Sequence, residues 1–174
     1  MNRPLRASAL TAVFLSLAFQ VAAHNNLTTG KKSINGTQNE IIDEFAVFTD
    51  WMDRYAYIIE LGTQLPPLNA DRKVAANLTE GCESRVWIAF DLLPDGKIRF
   101  TADSDAIIVK GMVSLLMRVL SDRTPDEILN ANLYFIEKIG LSDNLSPTRN
   151  KDLLAIINRI RNFSFTNNTS TQNE

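Results

Sequence analysis

A single predicted β-hairpin constrains this chain more than any other feature. From Arg85 the even positions Val86, Ile88, Phe90 and Leu92 are apolar, while Arg85, Trp87, Ala89 and Asp91 form a mixed set between them. That two-residue period marks a half-buried strand. Pro94-Asp95-Gly96 supplies a tight reversal, with glycine free to take positive φ, and Lys97 to Ala102 returns with Ile98, Phe100 and Ala102 on one face. A lone hairpin is marginal in water, so its apolar face has to be covered by the rest of the chain.

The rest of the chain is helical in pattern. Ile41, Phe45, Phe48, Met52, Tyr55 and Ile59 recur at steps of three and four, the stripe of one amphipathic helix, with Gly62 as its left-handed cap and Pro66-Pro67 beyond it. After the hairpin, Asp103 or Ser104 can cap a helix striped by Ile107, Ile108, Met112, Leu115, Leu116 and Val119. Gly111 interrupts that stripe at a cost of about 1 kcal/mol relative to alanine, which points to close packing there. Thr124-Pro125-Asp126-Glu127 reads as a capping box. A short helix follows near Leu133 to Ile139 and stops at Gly140. Ser146-Pro147 opens the last one, carried by Leu153, Leu154, Ile157 and Ile160, and Trp87 and Phe90 are expected in the core. The expected class is α+β, a small antiparallel sheet with helices on one face.

Charge and composition divide the chain into three parts. Residues 1–39 carry Arg3, Arg6, Lys31 and Lys32 and no acid, so +4, which leaves the remainder at −6 of the overall −2. An acidic domain without a basic stripe is a poor match for nucleic acid. Residues 1–23 have the form of a targeting segment: a basic start, an apolar run from Leu10 to Val21, and a small-residue site at Val21-Ala22-Ala23. The run is too short for a membrane span. Residues 24–39 are polar and read as a disordered linker, so 1–38 is expected to lie outside the domain, 39–164 to form it, and 165–174 to be a disordered tail.

The 174 residues include one cysteine, Cys82, and one histidine, His24, the latter in the N-terminal part. A single thiol excludes an internal disulfide and any multi-thiolate metal site. It lies in Glu80-Gly81-Cys82-Glu83-Ser84-Arg85, immediately before the first strand. A free cysteine is ordinarily an inert, buried small hydrophobe. Gly81 and the charges at Glu80, Glu83 and Arg85 argue instead for a loop, where reactive groups concentrate. A cysteine hydrolase would need a histidine base, which the domain lacks. A two-cysteine peroxidase would need a resolving thiol.

Gly81-Cys82-Glu83-Ser84-Arg85-Val86-Trp87 resembles the G-C-x-S-x-V-W signature of the SufE family of cysteine desulfurase activators. Asp103-Ser104-Asp105-Ala106-Ile107-Ile108-Val109-Lys110-Gly111, Leu145-Ser146-Pro147-Thr148-Arg149 and Pro66-Pro67-Leu68 extend the similarity over about residues 40–161. The resemblance implies a SufE/IscU-like fold and a persulfide formed on Cys82. The sulfur would come from a pyridoxal-phosphate cysteine desulfurase of the SufS/CsdA type and pass to an iron–sulfur scaffold protein. The chain itself would then need no cofactor or metal, and a homodimer is compatible with the resemblance. A scaffold of the related fold would itself need three cysteines.

Arg149, in the first turn of the last helix, opposes the helix dipole unless an anion lies near it. The resemblance places it close to the cysteine loop, where it would stabilise a thiolate or persulfide. Asp105 suits a first helical turn. With Glu83 and Arg85 these residues make up the supporting site. A structural adaptor with an incidental cysteine remains open. So do three readings of the N-terminus: export signal, organelle transit segment, or a start placed too far upstream. The expected working location is the cytoplasm, with no membrane association.

Overall fold

The computed structural model describes residues 31–170; the leader-like segment 1–23 lies outside them. Among the described residues the main elements follow in order. They are helices α1 (Ile34–Phe45) and α2 (Trp51–Thr63), strands β1 (Val86–Leu92) and β2 (Ile98–Ser104), and helices α3 (Ile107–Leu120), α4 (Pro125–Leu129), α5 (Phe135–Lys138), α6 (Leu141–Asn144) and α7 (Pro147–Ser170). Two single 3₁₀ turns, Ala70–Arg72 and Ala75–Asn77, join α2 to the hairpin. The class is α+β, as expected.

The hairpin pairs antiparallel from Val86↔Ser104 to Leu92↔Ile98, so β2 runs two residues beyond the expected Ala102. Leu93 N–H donates to the Lys97 carbonyl at 2.8 Å, and Gly96 has a φ of 76°, as the reversal requires. Val86, Ile88, Ile98, Phe100 and Ala102 are buried on one face. Helix α3 lies against that face and is itself buried nearly all round; Ile107 at its start is the exception at 65% exposure. The opposite face is mixed, with Trp87 and the buried Ala89 beside Asp91, Thr101 and Asp103, and is partly covered by the irregular segment around Arg72 and Lys73. Arg72 grips Asp91 through two bonds of 2.8 and 2.9 Å. Lys73 and Lys110 close on the buried Asp103 at 2.7 and 3.0 Å. Burial would raise the Asp103 carboxyl, but those two ammonium groups and the Ser104 amide hold it below the usual carboxylate range. Trp87 is on this face, half-buried between Lys73 and Arg85, and so is not a core residue. Phe90 is also only partly buried, stacked on Phe163 at 4.1 Å between ring centres.

Several expectations are corrected. The single helix expected across Ile41 to Ile59 is two, because Asp50 caps a new start by accepting from the Asp53 amide at 3.0 Å. Across that break the stripe changes phase. Met52 is 70% exposed, and Ile58, Leu61 and Gly62 are buried instead. Phe45, Phe48 and Tyr57 close the corner as an aromatic cluster. Gly62 is not a left-handed cap. It lies within α2 where that helix meets α3, and a Cβ there would fall 2.6 Å from the Gly111 nitrogen. A Cβ on Gly111 would strike the Ile58 carbonyl, so the two glycines let the backbones touch.

The ordered chain begins before residue 39. Ser33 caps α1 from its side chain, and Gln38 is fully buried, donating to the Asn132 carbonyl at 3.0 Å and accepting from the Phe135 amide at 3.2 Å. At the other end α7 continues through 165–170 in place of a disordered tail, with Asn168 donating to Asp126 at 2.9 Å. Residues 171–174 lie outside the described part. Neither Asp103 nor Ser104 caps α3 as expected: the cap position is Ala106, without a side-chain bond, although the Ser104 hydroxyl accepts from the Ala106 amide. The capping box at Thr124 and the start of α7 at Ser146-Pro147 both form, and a short helix the sequence did not suggest, α6, follows Gly140.

Candidate functional site

The segment between Thr79 and Val86 is a closed loop at the head of β1. Its base is fixed where the Thr79 amide donates to the Val86 carbonyl at 2.7 Å, and Gly81 turns it with a φ of 81°. Cys82 is at its tip, half-buried against the core, so the sulfur is neither lost in the interior nor free in water. The thiol donates a weak bond to the main-chain carbonyl of Asp152 in α7, at 3.7 Å.

One flank of the loop is tied to the turn between β2 and α3. Asp105 accepts from the Arg85 amide at 3.0 Å and from Arg85 Nε at 2.9 Å, and its own amide donates to the Arg85 carbonyl at 3.3 Å. Asp105 is therefore not in the first turn of α3, where the sequence reading had it; it precedes the helix and braces the loop. The Arg85 bond holds its carboxyl below the ordinary carboxylate range. This pair is open to solvent, with side chains 68% and 41% exposed.

The other flank is tied to α7. The side chain of Asp152 is fully buried, and its carboxylate accepts from the Glu83 amide at 2.7 Å, the Ser84 hydroxyl at 3.2 Å and Arg149 Nη1 at 2.9 Å. Arg149 Nη1 also donates to Ser84 Oγ at 2.5 Å. The anion that makes sense of a cation in the first turn of α7 is thus Asp152, three residues along the same helix. The hydrogen bonds of the Arg149 side chain go to Ser84 and Asp152 rather than to the sulfur. Glu83 faces outward and pairs with Lys151 at 3.0 Å, an exposed contact in which the lysine is raised by its carboxylate partner.

The electrostatics at the sulfur follow from these neighbours. Burial pushes the Cys82 thiol up, and the Asp152 charge pushes it further; Lys151 opposes them, and the thiol stands at about 11. At neutral pH the closed loop therefore holds a thiol, not a thiolate. Beside the loop an open groove of about 510 Å³ runs between Thr79–Gly81 and the Lys151, Leu154 and Asn158 edge of α7. Leu154, expected in the core, lines this groove at 61% exposure.

The structure thus brings Cys82, Glu83, Arg85, Asp105 and Arg149 around one loop, and adds Asp152, which the sequence reading missed. A signal was available. It was a faint one: Asp152 lies at four-residue steps before the apolar Ile156 and Ile160, in line with a buried stripe although its immediate neighbours are polar, and all three are completely buried.

The chain matches the family model described as SufE, the Fe-S metabolism associated domain, over residues 39–164. It is 37% identical over 136 residues to an uncharacterized SufE-like protein of Rhizobium etli, covering 76% of this chain and 92% of that one. Its backbone is similar to the solution structure of a hypothetical protein from Thermus thermophilus, with a TM-score of 0.62, 21% identity, and coverage of 76% of this chain and 96% of that one. At that identity the likeness concerns the fold. Among the described residues no helix is long and apolar enough to cross a membrane.

Proposed function

The chain belongs to the SufE family, whose domain is associated with iron–sulfur metabolism, and on that premise we propose that it accepts sulfane sulfur on Cys82 and carries it toward iron–sulfur cluster assembly. The observation that carries this reading is the placement of the one thiol at the tip of a loop pinned on both flanks yet open to a groove. A core cysteine would need no such support, and a hydrolytic nucleophile would need a base. In the transfer step the Cys82 thiolate attacks the outer sulfur of a donor persulfide. The donor S–S bond breaks, the donor cysteine leaves as thiolate, and a new S–S bond forms on Cys82. One sulfur atom moves with no net oxidation, so no electron carrier is required.

A cysteine desulfurase suits the donor role, and the pyridoxal phosphate that cleaves cysteine would belong to it. A cluster scaffold suits the acceptor role. Partial burial would shelter the loaded sulfur from reductants, while the raised thiol keeps the empty carrier quiet until the loop is displaced. That same raised thiol favours a second reading, an adaptor that stimulates a desulfurase without taking its sulfur. One assay separates the two. With a desulfurase and cysteine, a carrier acquires a persulfide label at Cys82, and Cys82→Ser abolishes both label and stimulation. A Cys82→Ser chain that stimulates cysteine turnover as well as the unaltered one would leave only the adaptor.

A further inference from the structure

We propose that Asp152 is the positioning residue that latches the cysteine loop shut, so that breaking its bonds to Glu83 and Ser84 is the step that makes Cys82 reactive. The inference rests on the sulfur-acceptor reading for its purpose, but its geometry stands without it. Asp152 belongs to α7, and the groups it holds come from a loop 68 and 69 residues earlier. Its carboxylate collects three donors with no solvent contact, and its carbonyl takes the thiol as a fourth. One residue thus touches both the loop backbone, through its side chain, and the sulfur, through its main chain.

Two further observations fit a latch better than a permanent strut. Packing holds the loop only lightly on its groove side: a Cβ at Gly81 would meet a single atom, Ala155 Cβ, at 3.9 Å. The groove beside it gives the Glu80–Gly81 turn room to swing. The retaining bonds are therefore mostly polar and replaceable by water, unlike buried apolar contacts. Moreover a buried carboxylate beside the sulfur opposes a negative charge on it, so closing the loop and forming a thiolate compete. The charged groups on the loop and the elements tied to it are Arg149, Lys151 and Asp152 from α7, Glu80, Glu83 and Arg85 from the loop, and Asp105 from the turn before α3. Asp152 and Lys151 act on the sulfur. Of these, Asp152 is the fully buried acid.

The test uses the full chain and needs no desulfurase. The rate of Cys82 with a small aromatic disulfide is followed against pH for the unaltered chain and for Asp152→Asn, which keeps the shape and removes the charge. The variant's midpoint should move to lower pH. Each unit of that shift gives tenfold more thiolate at neutral pH, partly offset by its lower nucleophilicity, for a net gain of roughly three- to fourfold in rate. Loop opening would add to this. Because loss of the Asp152 charge by itself lowers the midpoint, the latch is read in the rate. A folded Asp152→Asn chain whose gain is no larger than its midpoint shift explains would overturn the latch, and a gain clearly beyond that supports it. A merely structural aspartate would lower the melting temperature and leave the pH profile in place. Should the variant fail to fold, hydrogen exchange in the unaltered chain decides. A Glu83 amide slowed at least about tenfold against the unstructured rate supports the latch, and exchange at the unstructured rate refutes it. Either refutation would leave sulfur transfer at Cys82 standing, because the carrier reading has its own assay in Cys82→Ser.

Discussion

Two contacts hold this molecule together in opposite ways. Where α2 crosses α3, Gly62 and Gly111 bring backbone against backbone, and there is no space for one added carbon. Around Cys82 the loop is held by an exposed ion pair on one flank and a buried carboxylate on the other, with an open groove beside it. The first contact has a single arrangement. The second can be undone by exchanging its hydrogen bonds for water. A rigid helical frame carrying a releasable loop would suit the proposed acceptor, which has to both shelter a sulfur and present it.

The sharpest way to break that contrast is at the crossing. Gly111→Ala puts a methyl group into the Ile58 carbonyl, and relief requires the helices to separate. The expected loss is about 3 kcal/mol, the upper end of overpacking costs, or a melting temperature lower by roughly 10 °C. Thiol reactivity of the folded fraction should be unchanged. If the variant melted normally but its thiol reacted faster, the crossing and the loop would be coupled and the contrast would collapse.

Legibility in the sequence follows the same division. The hairpin, the α3 stripe, the Thr124 capping box and the Ser146-Pro147 start were readable because each is a local signal with its own backbone chemistry. The cysteine loop was readable through Gly81 and its charged neighbours, and family resemblance added Arg149. What escaped depended on distant partners. Gln38 looked like linker because its amide needs Asn132 and Phe135 to be worth burying. Residues 165–174 read as a disordered tail because α7 is extended by a contact from Asn168 to Asp126 and by Phe163 on Phe90 nearby. The stripe through Met52 was wrong in phase because a cap at Asp50 resets the helix. Asp152 was hidden in Asn150-Lys151-Asp152, a polar run whose third member turns inward to meet a loop from the other half of the chain.

A smaller effect is expected from pH. The unfolded chain has a Cys82 thiol near its ordinary 9.0, and the folded chain raises it to about 11. Folding thus favours the protonated form. That contribution is complete below pH 9 and is lost as pH rises from 9 through 11, because the unfolded chain releases its proton first. Tyr57 is raised by burial and by Glu44, so it contributes with the same sign. The useful quantity is therefore the difference between the unaltered chain and Cys82→Ser in denaturant unfolding at about pH 8 and about pH 10.5. The unaltered chain should lose more stability over that interval. Equal losses would mean that the sulfur is not sheltered, and the loop would then be open even at rest.

The smallest effect should come from the exposed flank. Arg85→Ala removes the ion pair with Asp105 and the guanidinium over Trp87, but the loop keeps its Asp152 anchor. Exposed pairs contribute about 0.2–1 kcal/mol, and the Arg85 amide can still donate to Asp105. The expected change in stability is at that level and should shrink further in high salt. The thiol midpoint should move less than in Asp152→Asn, because Arg85 is not among the causes of the Cys82 shift. This comparison separates the two flanks. If Arg85→Ala freed the thiol as much as Asp152→Asn, the solvent-facing pair would be the controlling tie, and the buried carboxylate would be only its support.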